Sequence, residues 1–253
     1  MIVREREKDF VMIEQHHHGD VSGKLLHYWK ESLWRGDKQE SVFYAVHQHD
    51  CGWKSADKTP IWNDQQQAPY TFMDFPMPLK TLIYRYGIDE IARENLYAAL
   101  LCSKHYTHFM EMENSEEAQD FVKKEEIRQR KWFNSLPDSD RNLFHFHFGL
   151  LKLFDNLSLF LCLNEPGKNE HPFYRNGIPL SPALHGFQQE KLDLHWMDEN
   201  TLAVDEFPFE QAFTVSVEQK VVSKSDIAQK GLIESYMAAP IQEIYIQWIP
   251  FAE

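Results

Sequence analysis

The chain is poor in cysteine. Cys51, Cys102 and Cys162 are the only three in 253 residues. They are odd in number, far apart and form no C-x-x-C pair. That spacing argues against a disulfide framework or a structural zinc site and for a reducing compartment, read here as the cytoplasm. Long apolar runs are missing too. The nearest, Leu143 to Leu163, carries Lys152 and Asp155 at its centre, so no membrane span is expected. Charges fill Met1 to Glu7 with no apolar segment behind them, so a secretory leader is not expected. Basic residues are outnumbered, 26 Lys and Arg against 39 Asp and Glu, for a net charge of −13. This balance gives no drive toward a nucleic acid polymer or an anionic membrane. A small phosphorylated substrate stays open, because a local basic pocket can outweigh the net field. No repeat or low-complexity tract occurs, and 43% hydrophobic residues suffice for a sizeable core.

Histidine is plentiful: 13 residues, 10 of them before position 150. The surrounding pattern is mixed. Ile2–Glu7 and Phe10–Gln15 read as two short strands joined at Lys8-Asp9. Leu25, Leu26, Trp29 and Leu33 form a helical stripe between about Asp20 and Trp34, and Val42, Ala45, Val46 and His49 form another from about Gln39 to Asp50. Gly52 to Pro78, with Pro60, Pro69 and Pro76, reads as a long loop. It either closes over a site as a lid or buries its own aromatics, Trp62, Tyr70 and Phe72. Helical pattern resumes near Pro78, breaks near Gly87 and reaches about Glu94. Further helices are expected over Asn95–Glu111, Ser115–Leu136 and Asp140–Leu163, the last apolar nearly all round and therefore central. After Pro166 the pattern turns to strands at Lys191–Met197, Thr201–Val204, Ala212–Val217 and Ile241–Ile249, with one late helix near Ser225–Ala238. The fold class is α+β: a mainly helical bundle over residues 1–165 with an N-terminal strand pair, then a β-rich part over 166–253 that can pack on the same domain.

Four local features carry chemistry. Asp155 lies inside the apolar helix, where a carboxylate costs several kcal/mol unless it is paired, neutralised or metal-bound; Lys152, three residues earlier, can serve as its partner. His49-Asp50 stands at a helix end, with His49 on the inward stripe. His16-His17-His18 sits at the strand-to-helix junction, where one or two imidazoles face inward. His105 continues the stripe of Leu101, and His108 lies one turn on. Each has a bland alternative as a hydrogen-bonded core residue or an exposed polar turn.

The order of these features resembles the HD-domain superfamily of metal-dependent phosphohydrolases. The resemblance covers roughly residues 15–163 through His18, His49-Asp50 and Asp155. The whole chain is also similar to a bacterial family of unknown function with Q-x-x-H, H-D-x-G-W and F-D-x-L-S landmarks, here Gln15–His18, His49–Trp53 and Phe154–Ser158. The first resemblance implies an HD-like bundle with a metal held by His18, His49, Asp50 and Asp155, and His16 or His17 as substitutes for His18. His105 would hold a second ion or the substrate, and Asp50 would bridge if two ions bind. Imidazole and carboxylate suit Mn, Fe, Co, Ni or Zn. It implies hydrolysis of a phosphorylated metabolite or nucleotide by metal-activated water. Asp50, Lys104 and Lys152 are the catalytic candidates, the two lysines as phosphate holders, with Lys54 and Arg85 behind them. An HD-fold di-iron oxygenase and a non-catalytic metal- or ligand-binding regulator are the alternatives.

Overall fold

A computed structural model describes residues 1–252. The alternating N-terminal residues form an antiparallel hairpin of β1 (Ile2–Glu5) and β2 (Asp9–Ile13). Glu14 is extended, at φ −71° and ψ 140°, and α1 (Gln15–His27) begins directly after it. The helix expected from Asp20 thus starts five residues earlier and takes in the triple histidine. α2 (Gln39–Gln48) follows and buries Val42, Ala45 and Val46.

The expected loop after Gly52 is not structureless. It holds a 3-10 turn (Cys51–Trp53), a short α3 (Lys54–Asp57) and a two-residue hairpin of β3 (Trp62–Asn63) and β4 (Ala68–Pro69). α4 (Met77–Glu94) runs through Gly87 without the expected break. A Cβ on Gly87 would lie 3.1 Å from the Gly52 backbone nitrogen. The missing side chain therefore permits a close backbone approach and does not end the helix. α5 (Leu96–Met110) and α6 (Glu116–Asn134) start where helices were expected and are capped by the side chains of Asn95 and Ser115.

α7 (Asp138–Leu163) is the central helix. From Phe146 to Leu163 every residue is buried except Lys152 and Asn156. It is long and apolar enough to cross a bilayer, yet 89% of its most apolar window is covered by protein. Short pairs follow: β5 (Ile178–Pro179) with β6 (Lys191–Leu192), and β7 (Leu194–Trp196) with β8 (Thr201–Val204). β9 (Phe213–Ser223) leads into α8 (Lys224–Lys230), α9 (Leu232–Ala238) and β10 (Ile241–Pro250). Gly231, at φ +84°, splits the single late helix expected there.

The main sheet has the order β1-β2-β9-β10-β8-β7 and is antiparallel except where β10 meets β8. The N-terminal hairpin therefore joins the C-terminal strands through β2 and β9. Phe213, Val215 and Val217 on β9 and Leu25 on α1 belong to one hydrophobic core with α7. The result is α+β, with helices in the middle of the chain and strands at both ends.

Arg4 ties β1 to the end of α7. Its guanidinium donates to the carbonyls of Cys162 at 3.0 Å and Asn164 at 2.8 Å, and to Gln219 Oε1 at 2.8 Å. A buried cation there meets the negative end of the helix and its unpaired carbonyls. Arg4→Met is expected to cost about 2–4 kcal/mol, from charge-assisted bonds lost and carbonyls left dry. The measurement is the urea midpoint; a midpoint equal to wild type would remove Arg4 as the clasp.

Candidate metal centre

Each candidate ligand is aimed by its element. Successive helical residues turn by about 100°, so the three histidines in the first turn of α1 fan apart. His18 points inward and is buried, while His16 and His17 remain partly exposed, 3.4 Å from Glu14 and 3.7 Å from Glu218. The start of α1 at Gln15 thus selects among three equivalent-looking residues. His49 caps α2 on the buried face of Val46, and Asp50 follows where the chain turns. That turn needs Gly52, where a Cβ would fall 2.4 Å from the Ile83 carbonyl oxygen. His105 comes from the buried side of α5 and Asp155 from the middle of α7.

These five residues converge. His18 Nε2 lies 3.1 Å from His49 Nε2, 3.1 Å from Asp50 Oδ2 and 3.5 Å from Asp155 Oδ1. His49 Nε2 lies 3.3 Å from Asp155 Oδ1 and 3.7 Å from Asp50 Oδ2. Asp155 reaches His105 Nε2 through its other oxygen, at 3.6 Å. His18, His49 and Asp155 are close enough together to hold an ion. Bonds of about 2.1 Å put neighbouring donors roughly 3.0–3.4 Å apart for octahedral or tetrahedral coordination, and the shorter of these separations match that range.

The protonation pattern fits as well. His49 Nδ1 donates to the Val46 carbonyl at 2.7 Å, so the neutral ring presents a bare lone pair at Nε2. His18 Nδ1 meets Ser158 Oγ at 2.6 Å, and Ser158 meets Ser22 Oγ at 2.7 Å. With His18 Nδ1 donating, its Nε2 is also free to bind. Asp50 Oδ2 accepts from Gln15 Nε2 at 3.1 Å, and Oδ1 lies 3.0 Å from the Tyr106 hydroxyl, whose one proton is shared with the nearer His49 carbonyl. Such outer bonds orient ligands and fix tautomers.

Electrostatics follow from burial against opposite charge. Burial pushes the His49 imidazole down, but Asp50 and then Asp155 outweigh it and raise its pKa to about 9. Burial raises the Asp50 and Asp155 carboxyls, and the surrounding imidazoles more than reverse this, so both lie below the ordinary carboxylate range. For His105 burial wins and lowers the pKa to about 4.

The cluster opens on a cavity of about 340 Å³ walled largely by aromatic and aliphatic side chains. His18, Asp50, His105 and Asp155 line it, and so do Phe72 and Met73 from the loop after β4. That loop also packs its own aromatics, with Phe75 5.2 Å from the Trp53 ring and 6.0 Å from Tyr70. Lys104 and Lys152 do not line the cavity. Lys104 Nζ donates to Glu111 at the surface at 3.1 Å, and Lys152 Nζ lies 5.1 Å from the centre of the Phe148 ring. Lys104 precedes His105 by one residue, a turn of about 100° that aims it elsewhere. Asp155 pairs with His18, His49 and His105 and not with Lys152. Lys54 is exposed near Gln48, at 3.5 Å. The lysine that does line the cavity, Lys80, carries no motif signal, because burial of a lysine is set by distant parts of the chain. Tyr106 and Ser22 were equally invisible for that reason. Gln15 and Ser158 lie inside the Gln15–His18 and Phe154–Ser158 landmarks, whose pattern assigns neither a partner.

Residues 1–224 match the family described as "Protein of unknown function (DUF3891)". The chain belongs to this family. The matched range of the DUF3891 chain contains all five converging residues and ends just beyond β9. No curated protein and no solved structure matches it.

The raised His49 pKa makes a signed prediction for the metal-free protein. Its stabilising contribution is complete below pH 6.5 and fades as pH rises through about 9. The lowered Asp50 and Asp155 contributions are present above about 3.8 and are lost as pH falls. A cation competes with the proton on His49, so metal affinity is expected to rise between pH 6.5 and about 9. Melting temperatures with chelator and with added Mn or Zn should diverge over that window. A gap that stays constant with pH would refute the assignment.

Proposed function

We propose that this DUF3891 chain is a metal-dependent hydrolase of the HD-domain type, acting on a small phosphorylated molecule. The observation that carries this reading is the meeting of two imidazole nitrogens, from His18 and His49, with two buried carboxylates, in a cluster of which His18, Asp50 and Asp155 line a cavity of about 340 Å³. His18, His49, Asp50 and Asp155 would hold the ion. A divalent cation bound there would cancel the two carboxylate charges, polarise a phosphoryl oxygen and lower the pKa of water.

The chain supplies the rest. Gln15 and Tyr106 keep the Asp50 carboxylate in one orientation, and Ser158 does the same for the His18 ring. His105 lines the cavity with its Nε2 3.6 Å from Asp155 Oδ2 and would hold the substrate or a second ion. Phe72, Phe109 and Leu159 give the cavity an apolar wall. The di-iron oxygenase alternative calls for six protein ligands, and this cluster brings five.

Asp155→Ala should lose metal and thermal stability together, because metal binding energy is also folding energy. His49→Gln should likewise abolish stoichiometric metal. Elemental analysis of both variants is the measurement, and full metal retention in either would refute the ligand set. Ser158→Ala should weaken metal binding by about 10–100-fold while leaving the fold intact, read by competition with a chromophoric chelator. Wild-type protein carrying metal should hydrolyse members of a phosphoester panel. Stoichiometric metal with no hydrolysis anywhere on that panel would replace the enzyme by a metal-binding regulator.

A further inference from the structure

Lys80 has the charge of a surface residue and the burial of a core one. It is 4% exposed and lines the cavity that holds the cluster. Its ammonium makes one hydrogen bond, to the Met73 carbonyl at 3.2 Å. Among the described residues it has no ion-pair partner. An ammonium has three N–H donors, so two remain for whatever fills the cavity.

Its place along the cavity is set by two antiparallel helices. On α5, His105 stands at the cluster and Phe109 one turn further along the cavity wall, with Glu113 just past the end of the helix. On α4, Tyr84 stacks on Tyr106 with ring centres 3.9 Å apart, and Tyr106 bonds Asp50. Lys80 is one turn before Tyr84, about 6 Å along the helix, and makes no ion pair with Asp50 or Asp155, which pair with His18, His49 and His105. The cation is therefore set about one helical turn along the cavity wall from the Tyr84–Tyr106 stack that backs the cluster.

We propose that Lys80 anchors an anionic group of the cavity's ligand, a carboxylate or a phosphate, apart from the histidine and aspartate cluster. The proposal rests on the hydrolase reading only for what sits at that cluster. Joined to it, the substrate class becomes a phosphoester on a ring-sized apolar body that bears a second anionic group. Three carboxylates, Asp50, Asp155 and Glu113, share the lining with this one lysine, which disfavours polyphosphate chains at Lys80.

The competing role is structural: Lys80 would only pin the Met73 segment to α4. Calorimetric titration of benzoate and of inorganic phosphate into metal-stripped, dialysed protein separates the two. We expect at least one probe to bind wild type, and the one that binds tells carboxylate from phosphate. Lys80→Met should weaken that binding by about tenfold or more, the loss of one charge-assisted bond, and Lys80→Arg should retain most of it. If Lys80→Met does not fold, acetylation of Lys80 in wild type, followed by mass spectrometry, gives the same answer, since a bound probe should slow it. No binding of either probe, equal affinity in Lys80→Met, or no protection from acetylation overturns the proposal. The titration contains no metal, so its failure leaves the hydrolase reading standing, and a failed phosphoester assay leaves this result standing.

Discussion

Two carboxylates inside a helical core set the terms for the surrounding structure. Asp50 and Asp155 are 6% and 4% exposed, and an uncompensated buried charge costs several kcal/mol. Three imidazoles face them, and a tyrosine hydroxyl and a glutamine amide take further lone pairs of Asp50. The imidazoles are themselves restrained from behind, His49 by a helix carbonyl and His18 by paired serines. Every layer thus answers to the charge at the centre.

The scaffold is shaped by that requirement. α7 is buried from Phe146 to Leu163 except at Lys152 and Asn156, so Asp155 is covered on most sides by its own helix's neighbours. The close approach of Gly52 and Gly87 brings the end of α2 against α4, which presents Tyr84 to Tyr106 and so backs Asp50. Arg4 fixes the far end of α7 to the sheet.

Much of this was legible in the residues. An aspartate in an apolar helix, a histidine on an inward stripe and a His-Asp pair at a helix end are local anomalies, and the structure brings them within hydrogen-bond reach of one another. The helices with good caps, at Asn95 and Ser115, began where their capping residues stand. What failed has a common cause. Gly87 looked like a breaker because its partner, Gly52, is 35 positions away. Lys104 is next to His105 in sequence, and on a helix immediate neighbours diverge; Lys152 shares a face with Asp155 by spacing but turns its ammonium to the Phe148 ring instead. Lys80 and Tyr106 gave no signal, since their importance comes from what other elements place beside them. The choice of His18 over its two neighbours depended on a single helix boundary, the least certain feature of any one-dimensional pattern.

The pairing of β2 with β9 has a consequence for how the molecule comes into being. Arg4 and Gln219, partners in this sheet, are 215 positions apart, and contacts of such separation slow folding because loop closure must precede any reward. During synthesis the helices of the first two-thirds emerge from the ribosome while β2 still lacks β9. The exit of the last strands then completes the hairpin's sheet, against which α1, the carrier of His18, is packed. Maturation of the imidazole cluster is thereby coupled to translation of a segment that contributes no ligand to it.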